Sequence, residues 1–91
     1  MDNLSILPGG EFIDAGVADL AARRLTIASL LVSIGARRLR DAGIVVPEAF
    51  EDPERRLYDL LARDGVDSAH GRYNALVRRL VSFERALECA R

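Results

Sequence analysis

The chain has no lysine and no tryptophan, one histidine, one cysteine and only five aromatic residues among 91. Each shortage excludes something. With few aromatics, the core must come from Leu, Val, Ile and Ala, which suits close packing of helices. Cys89 has no second cysteine to pair with, so no internal disulfide is possible and nothing points to an oxidising compartment. One histidine and one cysteine cannot assemble a zinc site from nitrogen and sulfur ligands, so neither a metal nor a cofactor is expected. The most apolar run, "LTIASLLVSIGA", is 12 residues long, whereas a membrane span needs about 20. The first residues, "MDNLSILPGGEF", lack the basic start and apolar stretch of a secretory signal. The expectation is a cytoplasmic protein that does not cross a membrane. No segment alternates with period two for long, so no strand precedes a glycine-rich phosphate loop.

The residues that are present indicate a folded, all-α domain. A hydrophobic content of 49% excludes a disordered chain. All 13 basic side chains are arginine, each a planar fork suited to bidentate pairing with carboxylate or phosphate. Net charge is −1, so the chain as a whole is not built to coat nucleic acid. The charge is blocky. Residues 1–22 carry acids only, residues 23–40 arginines only and residues 41–54 acids only. Neighbouring blocks of opposite sign are expected to pair, within one chain or between chains.

Helical periodicity sets the expected elements. Residues 1–10 read as an extended arm closed by "PGG", with Leu4, Ile6 and Leu7 available to dock on the body or on a second copy. Residues 11–91 form one helical domain. Ile13, Val17, Leu20, Ile27, Leu31 and Ile34 recur every three or four residues and predict one long helix over residues 11–42, with a break near "ARRLT" as the alternative. Gly16 and Gly35 are its weak points, costing about 1 kcal/mol each relative to Ala, and Gly43 is the stop. "EDPE" predicts a helix start with Asp52 as N-cap and Pro53 in the first turn. That short second helix ends before Gly65. A third, of medium length, starts at Asp67 or Ser68 and runs through Leu87.

A helix over residues 11–42 would span roughly 48 Å, against about 30 Å for a compact chain of this size. It would also be apolar over more than one face, which one copy cannot cover. The expected solution is a small helical bundle that forms a two-fold homodimer. Leu20, Ile27, Leu31 and Ile34 are the expected self-association residues. Glu84 projects into the apolar arc of Tyr73, Val77, Leu80 and Leu87, and needs an arginine from the first helix as partner.

One stretch carries a hint of catalysis. "RDGVDSAH" resembles the R-x4-6-H motif of HEPN-family ribonucleases over eight of the 91 residues. The resemblance implies an arginine and a histidine in a helical cleft, often across a dimer, assisting attack by an RNA 2′-hydroxyl. Arg63, Asp64 and His70 are the matching positions. Read from the residues alone, "DG" and "DS" are a helix stop and a cap, which puts Arg63 and His70 on different helices. Ser68, His70 and Asp67 share one helical turn and cannot act in relay.

Arg72, Arg78, Arg79 and Arg85 lie on the flanks of the third helix, where a helix-turn-helix would read a duplex. Apolar residues claim the face between them, and the acidic connector repels DNA, so nucleic acid is not the favoured partner. The favoured function is a small protein-interaction module of antitoxin, regulatory-subunit or inhibitor type, acting on a second protein by helix-face docking rather than as an enzyme. Arg23, Arg37 and Arg38 are the expected partner-binding residues.

Overall fold

The helix expected over residues 11–42 is three helices. In the computed structural model, which describes residues 9–90, α1 spans Gly10–Ala21, α2 Ile27–Ile34 and α3 Ala36–Asp41. After a connector over residues 42–52 come α4, Pro53–Ala62, and α5, Val66–Ala90. The described residues contain no strand, in keeping with the all-α class. The arm's Leu4, Ile6 and Leu7 lie outside the described residues.

The first break is a helix C-cap built without glycine. Arg23 adopts a left-handed φ of 57°. Its amide donates to the Leu20 carbonyl at 3.0 Å, and the Arg24 amide donates to the Asp19 carbonyl at 2.8 Å. That pair of bonds defines a Schellman motif, which normally places Gly where Arg23 stands. Three residues later α2 begins with a capping box. Thr26 Oγ1 accepts from the Ser29 amide at 3.1 Å, and Ser29 Oγ accepts from the Thr26 amide at 2.8 Å. Asp19 braces the turn from α1. Its carboxylate accepts from Thr26 Oγ1 at 2.8 Å and from Arg24 Nε at 3.3 Å.

The turn folds α1 back onto α2, and Gly16 lets the two meet. A Cβ at Gly16 would collide with the Ala28 carbonyl and with Val32 Cγ2. The glycine is therefore the contact point of the pair and not a weakness within a helix. Gly35 serves the second bend in the same way. A Cβ there would lie 2.9 Å from Glu84 Oε2 and 2.9 Å from Leu80 Cδ1, both on α5.

Folding back puts α2 at the centre. Ser29, Leu30, Leu31, Val32 and Ser33 are five consecutive buried residues, a run that one-sided packing cannot produce, because a helix turns about 100° per residue. Ile13 and Leu20 cover α2 from α1, Leu57 and Leu61 from α4, and Leu80 and Phe83 from α5. Each such side chain contributes about 1.5–3 kcal/mol on leaving water. The radius of gyration is 12.6 Å, close to the roughly 12 Å expected of a folded chain this long. A single copy thus covers the segment expected to need a second one. Leu20 and Leu31 are 0% and 1% exposed within that copy, and Ile27 and Ile34 are half-buried against the same core.

The connector is stitched down mainly through its backbone. The Ser33 hydroxyl donates to the Ser29 carbonyl at 2.8 Å and accepts from the Phe50 amide at 3.1 Å. Arg40 donates to the Val46 and Pro47 carbonyls at 3.2 and 2.7 Å. Arg23 donates to the Glu48 carbonyl at 2.6 Å and lies over the Phe50 ring at 4.5 Å. Two arginines of the expected basic block thus meet the acidic block at its carbonyls rather than its carboxylates. Asp52 is the N-cap of α4, as expected, but in a left-handed conformation and with no side-chain capping bond. Gly43, with φ 101°, follows α3. The Gly43 and Ile44 amides donate to the Arg40 and Leu39 carbonyls, completing a second Schellman motif.

Candidate interaction surface

The helix α5 is amphipathic along its whole length, and its two faces differ in kind. The inner face buries Ala69, Leu80, Phe83 and Glu84. Glu84 is only 4% exposed and does find an arginine from the N-terminal half. Arg38 Nη1 lies 3.5 Å from Glu84 Oε1, and Arg38 Nη2 reaches Glu88 Oε1 at 3.6 Å. Burial pushes the Glu84 carboxyl above its ordinary value. Arg38 pulls it back, and the neighbouring Glu88 adds to the rise. At the other end, the Tyr58 and Tyr73 rings meet at 5.9 Å and tie α4 to α5. Burial, with Glu54 adding to it, raises the Tyr73 phenol.

The outer face presents Ala75, Arg78, Arg79, Ser82, Arg85 and Cys89, all exposed. Between Asp67 and Glu88 the only acid is Glu84, which is buried, so every exposed charged side chain along this stretch is an arginine. Arg72 is held by Asp64 at 3.3 Å. Arg79 lies over the Phe12 ring of α1 at 5.9 Å. Arg78 and Arg85 have no ion pair or side-chain hydrogen bond among the described residues. An open groove of about 330 Å³, lined by Gly9, Arg78, Arg79 and Ser82, runs where the start of α1 meets α5. Twenty-five residues of helix reach about 37 Å, which matches the 38 Å long axis of the molecule. The arginines from Arg72 to Arg85 span about 20 Å of that helix.

The expected site residues fall elsewhere. Arg63 is the C-cap of α4 and His70 lies in α5, both exposed. No hydrogen bond or ion pair joins them among the described residues, and His70 instead sits 3.2 Å from Asn74 Nδ2. Asp64, the third position of the resemblance, is engaged by Arg72. Of the expected partner-binding arginines, Arg23 is spent on the connector and Arg38 on Glu84 and Glu88. Arg37 is exposed on α3. Among the described residues there is no cluster of three potential metal ligands, and no helix is long and apolar enough to cross a membrane.

The signal for the arginine face was present in the sequence as the spacing of Arg78, Ser82, Arg85 and Cys89, every three or four residues. No family model, no curated protein and no solved structure matches the chain. What the structure establishes by itself is the class, all-α, with five helices among the described residues.

Proposed function

We propose that the protein is a small helical interaction module that works by docking the outer face of α5 onto an acidic surface of a protein partner. One observation supports this reading above the others: a helix as long as the molecule, whose exposed charged side chains between Asp67 and Glu88 are all arginine, two of them unpaired among the described residues. Arginine suits this role, because its fork pairs bidentately with carboxylates and because it recurs among the residues that dominate binding energy at interfaces. The rigid helix adds little ordering cost on binding. Of the surface expected from the sequence, Arg37 is exposed on α3, whereas Arg23 contacts Glu48 and Phe50 and Arg38 contacts Glu84 and Glu88.

The test is affinity purification of the full chain from its own host, wild type beside an Arg78→Glu/Arg85→Glu variant. The partner is identified by mass and its binding is then remeasured with purified components. The expected result is one partner, acidic at the contact, that the variant loses at unchanged helicity. Capture of the same partner by both forms contradicts the reading. So does duplex retardation with a steep salt dependence, or RNA cleavage abolished by His70→Ala. The last two would reassign the protein to the nucleic-acid binder or the ribonuclease.

A further inference from the structure

Phe50, near the end of the connector, draws two arginines from different parts of the chain. The Arg23 guanidinium, from the turn after α1, lies 4.5 Å from the ring centroid, and that of Arg56, from α4, lies 5.4 Å from it. The two cations are therefore no further apart than the sum of those distances. Neighbouring carbonyls aim them. Arg23 Nη1 donates to the Glu48 carbonyl at 2.6 Å, and Arg56 Nη1 to the Glu51 carbonyl at 3.4 Å. Neither arginine has an ion pair among the described residues. Together with Glu48, Ala49, Phe50 and Glu51 they line an open hollow of about 290 Å³. Arg23 also stands at a left-handed position where glycine would cost less, and its side chain is what reaches the ring and the carbonyl.

We infer that this hollow binds a phosphoryl group, carried by free phosphate or by a small phosphomonoester. Two like charges held at one ring repel each other, and among the described residues no carboxylate pairs with either. A bound anion relieves that repulsion. Each guanidinium has five N–H donors, and hydrogen bonds to the connector use one of each. The remaining donors of two forks match the three free oxygens of a phosphoryl group, whereas a carboxylate is filled by one fork. The ring and the carbonyls hold the pair in place beforehand, which lowers the ordering cost of binding. The Glu48 and Glu51 side chains at the rim are exposed and make no ion pair. Their charge disfavours a long polyanion, so the hollow suits a compact anion and not a nucleic-acid backbone. It shares no residue with the arginine face of α5, so the two readings stand or fall separately.

Titration of the isotope-labelled full chain at constant ionic strength, followed by NMR, tests this with inorganic phosphate, O-phosphoserine and, as control, serine. Saturable shifts of the Arg23 and Arg56 Nε–H signals and of the Phe50 amide are expected with the two phosphates and not with serine. Tighter binding of phosphoserine assigns the ester as the ligand, and equal or weaker binding assigns free phosphate. Arg56→Gln should weaken binding by about tenfold. Arg55→Gln, one residue away on α4 and outside the lining, should leave it unchanged. Glu48→Gln/Glu51→Gln should tighten it by about twofold or more, because two negative charges leave the rim. Circular dichroism checks the fold of each variant. Arg56→Lys, which keeps the charge and the stem but loses the fork, should weaken binding by about threefold and serves in place of an Arg56→Gln that fails to fold. An absence of saturation up to about 20 mM phosphate overturns the inference. So does an affinity that both Arg56 variants leave intact, or one that Arg55→Gln lowers as much as Arg56→Gln does.

Discussion

Residues 10–41 and residues 66–90 are tracts of similar length. Both are helical, both carry arginines and both contain interior glycine, yet the first folds back on itself and the second runs straight. The difference lies in how much of the circumference is apolar. The second tract has one apolar face and needs one neighbour. The first is apolar nearly all round in its middle, and within a single copy α2 is covered by its own upstream segment, α1, together with α4 and α5. Glycine follows the same division. At Gly16 and Gly35 another helix occupies the space a side chain would need, whereas at Gly71 there is nothing within 4 Å. The interior glycines of the first tract are thus contact points, and that of the second is only a missing side chain.

The sharpest way to break the comparison is to fill those spaces. Gly16→Val should cost about 3 kcal/mol or more in urea unfolding, because the Ala28 backbone cannot yield as a flexible side chain would. A loss below about 1 kcal/mol would show that α1 and α2 do not pack there. Thr26→Ala removes the cap that restarts the chain after the turn, and should cost about 1–2 kcal/mol. The same measurement on Ser68→Ala should show less, since that hydroxyl donates only to the Gly65 carbonyl in an exposed turn.

Arg23 separates backbone from side chain at the turn. Arg23→Ala keeps the left-handed strain and loses the contacts to Glu48 and Phe50, whereas Arg23→Gly loses the same contacts and relieves the strain. The glycine variant should therefore be the more stable of the two by about 1 kcal/mol. Equal stabilities would mean that residue 23 is not left-handed. In the straight tract, Gly71→Ala should stabilise by about 0.5–1 kcal/mol, since the added methyl meets nothing and helix propensity improves.

The last effect is a slope. Glu84 has a folded value raised above the ordinary 4.5. Its contribution to stability is fully present below that value, and is lost as pH rises through the higher folded one. Glu84→Gln mimics the protonated form, so wild type should lose ground to it as pH climbs above 4.5. Parallel stability curves for the two proteins would contradict the burial of this carboxyl.

Much of this was readable from the chain. The all-α class followed from periodicity, α4 and α5 from "EDPE" and the Gly65 stop, and the arginine partner of Glu84 from its place in an apolar arc. The first break was not readable with the same ease, because the usual sign of such a turn is glycine at the left-handed position and here it is Arg23. The capping box was also disguised, since its third residue is Ser29 where Glu or Gln is the usual sign. A single helix over residues 11–42 has more apolar surface than one copy covers, which is what points to a second chain meeting Leu20, Ile27, Leu31 and Ile34. In the structure Leu20 and Leu31 are buried within one copy and Ile27 and Ile34 are half-buried, whereas Arg78 and Arg85 at the opposite end of the sequence stand exposed. That surface was partly legible, because charge of one sign on one helical face needs no tertiary information. What it faces is a property of arrangement in space.

The claim beneath all of this is that the chain reverses at Arg23–Thr26. Spin labels at Glu11 and Arg37, both exposed, read it directly by dipolar spectroscopy, with Cys89 replaced by serine and the labelled chain diluted in unlabelled protein. A continuous helix would hold these positions about 39 Å apart, whereas packing of α1 against α2 with axes about 8–10 Å apart brings them to roughly 20 Å. A distribution centred near the shorter distance is expected. One centred near the longer distance would contradict the reversal, and would restore the long helix that one copy cannot cover.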